Sequence, residues 1–151
     1  MRIRSNRMVA GLGTKFNEQH LSEEILLSQC YGLCPKVTLP ETELRYPSLP
    51  YWLARRRERQ ELLGEELRLL YVAMTRARDT LLLVGATRSK DAREEWAAVP
   101  SAPLRDQEVL SARSFLDWLQ LWLPRNGLAE EGAAGEWPAA RWLRWPIYSA
   151  T

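Results

Sequence analysis

Arginine is the residue type in this chain best suited to handling phosphate, and two arginines stand at one informative place. Glu65-Glu-Leu-Arg-Leu-Leu-Tyr-Val-Ala-Met-Thr-Arg-Ala-Arg-Asp79 carries Arg76 and Arg78 close to its end, and an apolar stretch, Thr80-Leu-Leu-Leu-Val-Gly85, follows at once. A guanidinium is always charged and presents a planar fork of donors that matches phosphate oxygens. Held where a helix gives way to a strand, it can reach a phosphate in a neighbouring cleft. The plainer alternative is that both arginines are helix-end charges on a wet surface, where the helix dipole favours cations.

The element that must position them is a helix. Leu63, Leu67, Leu70, Tyr71 and Met74 recur at i, i+4, i+7, i+8 and i+11, which is one helical face. Glu61, Glu65, Glu66 and Arg68 fall mostly off that face. Burial of Leu67, Leu70 and Met74 is expected to contribute roughly 1.5–3 kcal/mol each, as an upper bound. Gly64 lies inside the helix at a cost of about 1 kcal/mol relative to alanine, and its place before the acidic pair suits a bend or close packing.

Upstream, Met8–Gly11 reads as the tail of a strand, and Gly11 and Gly13 supply a turn. Asn17–Glu24 is polar with helix-start character. Glu24–Ser28 and Pro35–Pro40 read as short strands around a glycine-containing loop. Pro47 and Pro50 break the chain before the long helix, the second near a helix start where its missing N–H costs little. Downstream, Thr87–Asp106 is charged and proline-containing, as in a surface helix and loop. Ser111 or Ser114 can cap a helix spanning about residues 111–123, whose Phe115, Leu116, Leu119 and Leu123 form an apolar face. Leu128–Gly135 reads as an Ala/Gly/Glu loop, and Arg141–Tyr148 as one strand of a further domain. Trp142 and Trp145 fit a core or interface better than a base-stacking platform.

Four blocks resemble one family in the same order. Glu65–Arg78 is similar to motif VI of UvrD-like superfamily-one DNA helicases: an acidic pair, a Leu-Tyr-Val-Ala core, then Thr-Arg-Ala-Lys/Arg. Val9–Asn17 resembles the turn after a core strand in the AddA type of helicase–nuclease. Leu44-Arg-Tyr-Pro-Ser-Leu-Pro50 resembles its Arg-Tyr-Pro-Thr-Leu-Pro segment, and Ser111–Leu119 resembles its Ser-Tyr-Leu-Asp-Trp helix.

The resemblance implies an α/β fold: a partial RecA-like (P-loop NTPase) second motor domain over residues 1–88. A short helical and partly irregular extension, 89–151, would lead toward a nuclease domain. Arg76 matches the arginine that contacts the γ-phosphate of ATP and would neutralise charge on the transferring phosphoryl group. Thr75, Tyr71 and Glu66 match supporting positions of the nucleotide site, and Arg78 sits where the family accepts Lys or Arg. The implied cofactors are ATP and Mg2+ in a complete enzyme, with none expected for this chain alone. The implied partners are DNA and either the remainder of the helicase or a B-type helicase–nuclease subunit. The implied activity is ATP-driven 3′→5′ DNA unwinding linked to end processing in double-strand-break repair, in the bacterial cytoplasm.

Several family parts are missing. No Gly-x-x-x-x-Gly-Lys-Ser/Thr occurs, no Asp-Glu pair follows an apolar strand, and Met1–Met8 does not resemble the expected motif V. The chain is therefore expected to be a piece of a helicase, inactive by itself. The competing reading is a non-catalytic interaction module or a relic gene product.

Composition constrains little beyond this. The 151 residues are 46% hydrophobic, with 21 basic and 19 acidic side chains, so bulk charge does not announce a nucleic-acid partner. The run Arg55-Arg-Arg-Glu-Arg59 reads as a solvated helix face, with a DNA-backbone role as its alternative. Cys30 and Cys34 form a lone Cys-x3-Cys which, with the single His20, falls short of four zinc ligands, so two reduced thiols and no metal are expected. Neither a signal-peptide pattern nor an apolar run of membrane-spanning length is present.

Overall fold

A computed structural model describes residues 6–87 and 102–125. The chain is mixed α/β, with one parallel and one antiparallel sheet among the described residues, and it divides into two compact units. One comprises Lys15–Asp79. The other joins Asn6–Thr14 to the chain from Thr80 onward, so the first unit is inserted into the second.

The inserted unit is a three-stranded antiparallel sheet backed by a long helix. Strands β2 (Ile25–Ser28), β3 (Gly32–Thr38) and β4 (Arg45–Pro47) lie in that order. β2 and β3 form a hairpin with Leu27 opposite Leu33 and Leu26 opposite Cys34. Gly32 takes φ 67° at its turn, where a side chain would be strained. The β3 strand starts three residues earlier than the position of Pro35 suggests. Lys36 N–H reaches back to Glu24 O at 2.9 Å, so the nitrogen of Pro35 faces the opposite side, where β4 pairing begins only at Lys36. No ladder bond is lost to the proline.

Strand alternation sends Leu26 and Cys34 inward, where they meet Tyr51 and Ala54 of the helix α1 (Leu49–Thr75). A 3-10 helix, Gln19–Ser22, adds buried Leu21. Leu63 and Leu70 are buried as their spacing predicts, but Leu67 is 40% exposed and Tyr71 68% exposed. At 27 residues the helix runs about 40 Å, longer than the roughly 23 Å of the 7-residue strand β3. Nothing lies within 4 Å of a Cβ built on Gly64, so among the described residues it serves no close packing.

The second unit is built on β1 (Asn6–Ala10) and β5 (Thr80–Val84), paired in parallel with Asn6 opposite Thr80 and Ala10 opposite Val84. Their apolar side chains are largely exposed, Met8, Leu82 and Val84 among them, although parallel strands are normally covered on both faces. After β1 the chain turns through Gly11, at φ 79°, with Thr14 N–H donating to Gly11 O. Leu12, 2% exposed, donates to Val84 O at 3.1 Å and accepts from Leu116 N–H at 2.8 Å. The turn is thereby tied to both strand and helix.

The helix expected near 111–123 is α3 (Phe115–Arg125), capped by Ser114 rather than Ser111, and a separate short helix, α2 (Asp106–Ser111), precedes it. The break between them has a local cause. Ser114 Oγ accepts from Asp117 N–H and donates to Asp117 Oδ1, while Asp117 Oδ2 accepts from the Arg113 and Ser114 amides, a capping box that restarts the helix. Ser111 instead donates to Glu108 O in the last turn of α2. Trp118 donates its indole N–H to Val109 O, and nearly buried Arg125 bonds Glu108, Ala102 O and Leu121 O. The readings of 88–101, Leu128–Gly135, Arg141–Tyr148, Trp142 and Trp145 lie outside the described residues. Among the described residues no helix is long and apolar enough to cross a membrane, and no group of three or more acidic, His or Cys side chains could hold a metal ion. Cys30 and Cys34 are free thiols, exposed and buried respectively.

Candidate functional site

The rod that carries the candidate phosphate-binding arginine is fixed at its far end. Ser48 caps α1: its Oγ accepts from Tyr51 N–H at 3.3 Å and donates to Pro35 O at 2.7 Å, joining helix start to sheet. Tyr51 buries its ring and donates its hydroxyl to Glu23 O at 2.8 Å, with Leu21 O at 3.2 Å. Arg59 adds an ion pair to Glu18 at 3.0 Å.

At the other end the helix stops at Thr75. Ala77 N–H closes the last turn on Met74 O at 3.3 Å, and Arg76 occupies the cap position in helical geometry, φ −75° and ψ −15°. Thr75 Oγ1 donates to Tyr71 O at 2.9 Å and lies 3.2 Å from Val72 O. Its proton is thus engaged by the helix itself, and only its lone pairs face outward. Arg76 and Arg78 are exposed, and neither guanidinium has a hydrogen bond or ion pair among the described residues. A free guanidinium at the end of an anchored helix can donate to an incoming phosphate without first breaking an ion pair.

The four residues singled out for the nucleotide do not all converge. Thr75 and Arg76 are neighbours, and Tyr71 is joined to Thr75 through its backbone carbonyl while its ring is exposed. Glu66, half-buried, lies ten residues from Arg76, about 15 Å along the axis. Within this unit it cannot touch the same phosphate as Arg76.

A second cluster is only partly legible in the sequence, through the run Arg55–Arg59 and its DNA-backbone alternative. At the N-terminal end of α1 an open cleft of about 280 Å3 is lined by Lys36, Tyr51, Trp52 and Arg55, with Leu21 and Pro47 among its walls. The signal was present as Trp52 followed at i+3 and i+4 by Arg55 and Arg56. What sequence alone lacked was Lys36, which the β3–α1 packing brings in from elsewhere in the chain.

No protein-family model matches the chain. Curated relatives do. It is 41% identical over 115 residues to the ATP-dependent helicase/nuclease A-type polypeptide (AddA) of Desulforamulus reducens, covering 74% of this chain and 9% of that protein. It is 38% identical over 124 residues to that of Lysinibacillus sphaericus (79% and 10%) and 42% identical over 123 residues to that of Moorella thermoacetica (79% and 9%). The chain spans about a tenth of the length of these relatives. With identity of this order recurring over most of its length, the chain belongs to the AddA type of ATP-dependent helicase/nuclease and corresponds to one segment of it.

Proposed function

We propose that this chain contributes Arg76 as the γ-phosphate-contacting arginine of a composite ATP site in a 3′→5′ DNA helicase–nuclease. Residues 1–88 would be the C-terminal part of its second RecA-like domain, and 89–151 the connection beyond it. The observation that carries the reading is an exposed guanidinium, unpaired among the described residues, at the cap of a 27-residue helix in a chain of the AddA type.

The division of labour follows from what the chain holds. It has no phosphate-cradling loop and no Asp-Glu pair to hold Mg2+ or orient water, so those parts of the site would come from outside this sequence. Arg76 supplies N–H donors to the terminal phosphate, where negative charge must be stabilised during transfer. Thr75 locks the last helical turn beneath it. Tyr71 and Glu66 support the helix or its covering rather than the nucleotide directly. Because α1 is anchored at Ser48 and Tyr51, a pull on Arg76 is transmitted along a stiff rod to the antiparallel sheet. In a bacterial cytoplasm the substrate would be DNA ends at double-strand breaks. The partner would be the rest of the helicase or a B-type helicase–nuclease subunit. By itself the chain would be inactive.

In the complete helicase–nuclease carrying this segment, Arg76→Ala should lower DNA-stimulated ATP hydrolysis on the order of 10³-fold, with unchanged thermal stability. A loss of only a few-fold in a folded protein removes Arg76 from the role.

A further inference from the structure

The cleft at the start of α1 has chemistry that the Arg76 site does not use. Trp52 is 48% exposed in its wall, and the Arg56 guanidinium lies over its ring at 5.6 Å from the centroid. One face of the indole is thus occupied by a cation, which leaves the opposite face for a second flat group. Lys36 holds the floor, its ammonium 5.4 Å from the Tyr51 ring centroid and bonded to Ser22 O at 2.8 Å.

Within the run Arg55–Arg59, the two arginines beside the cleft are those without a carboxylate among the described residues. Arg57 bonds Glu61 at 2.9 Å and Arg59 bonds Glu18 at 3.0 Å. Among the described residues Arg55 has no carboxylate partner, and the Arg56 guanidinium has only the Trp52 ring. Trp52, Arg55 and Arg56 stand at i, i+3 and i+4, so they share one flank of the helix. The first turn of α1 has no acidic residue to offset them. Glu24, within 3.8 Å of Lys36, is shared with Arg45 at 3.3 Å, so the cleft keeps excess positive charge.

A flat π-face beside unpaired guanidinium groups matches a ligand that alternates planar rings with anions. We propose that this cleft is a contact site for single-stranded nucleic acid, with one base stacked on Trp52 and adjacent phosphates held by Arg55 and Arg56. A duplex hides its base faces except at its ends, and the carboxylates of an acidic peptide do not stack, so a single strand matches Trp52 and the arginines together best. The choice of a nucleic-acid ligand rests on the helicase reading above, whereas the placement rests on the cleft alone.

The test is fluorescence anisotropy of a labelled oligothymidylate of about 15 nucleotides, within the range of single-strand site sizes, titrated with the full chain. Trp52→Ala should weaken binding roughly tenfold, and Trp52→Phe, which keeps a stacking ring, should retain most of it. Arg55→Ala/Arg56→Ala should weaken binding and make its salt dependence shallower by about 1.4, at about 0.7 for each phosphate no longer neutralised. Arg57→Ala, whose partner is Glu61, should stay within about twofold. Circular dichroism confirms that each variant is folded. Failure of the wild-type chain to bind overturns the proposal. So does wild-type affinity in both Trp52→Ala and the double variant, or equal competition by polyglutamate or duplex that is indifferent to Trp52. The ATP-hydrolysis test of Arg76 reads no residue of this cleft, so loss of either assignment does not carry the other with it.

Discussion

Gly13 is the position where a single added methyl group should do most damage. A Cβ built there falls 1.9 Å from Ala86 O and 3.0 Å from Ala86 C, both main-chain atoms that cannot swing aside. Restoring an ordinary separation of roughly 3.5 Å requires the turn and the end of β5 to part by about 1.6 Å. The same turn holds buried Leu12, which bonds Val84 O at 3.1 Å and accepts from Leu116 at 2.8 Å. Overpacking costs roughly 1–3 kcal/mol, and two weakened hydrogen bonds add about 1 kcal/mol each. Gly13→Ala should therefore destabilise the unit by about 3–5 kcal/mol. For a chain of this size that lowers Tm by roughly 6–20 °C, at about 2–4 °C per kcal/mol. Gly64→Ala supplies the contrast: the site is open and helical, so the same methyl should stabilise by about 1 kcal/mol. Thermal unfolding followed by circular dichroism compares the two variants with wild type. If Gly13→Ala melts with the wild type, the close approach of the turn to Ala86 is wrong.

Two further outcomes follow from single groups. Tyr51→Phe removes the hydroxyl that serves Glu23 O and Leu21 O, and should cost about 1–3 kcal/mol in urea unfolding, because a buried and a part-buried carbonyl lose their donor. The Glu108 carboxyl is held below the ordinary value of 4.5, first by the Arg105 amide and then by the Arg125 guanidinium. A depressed folded value means that its contribution is complete above 4.5 and lost as pH falls below it. Glu108→Gln should abolish that part of the acid dependence of Tm, and an unchanged pH profile would remove Glu108 from the account.

Much of the architecture was legible because it is local. The turn at Gly11–Gly13, the hairpin strands, the long helix and the strand after it follow from glycine, proline and periodicity, each acting over a few residues. The face of α1 was legible only in part. Leu63 and Leu70 are buried, but periodicity says that a face is apolar, not that this segment carries what covers it. Leu67 and Tyr71, assigned to the same face, are exposed. β4 was missed because three residues ending in proline carry almost no strand signal, and its pairing depends on the turn from Leu39 to Leu44. Helix spacing separates Glu66 from Arg76 before any fold is known. The cleft, by contrast, needed Lys36 to meet Tyr51, which no local pattern encodes.

The insertion of Lys15–Asp79 between β1 and β5 has a consequence for how the chain reaches this state. Hairpin and helix contacts in the inserted unit join residues near in sequence, so their loop-closure entropy is small. The β1–β5 ladder must close a loop containing all of that unit, and an isolated parallel pair of strands gives little in return until other surfaces meet it. The inserted unit can therefore nucleate early, with the ladder zipping last. During that delay the apolar edges of Met8, Leu82 and Val84 are the segments most open to pairing with the wrong chain.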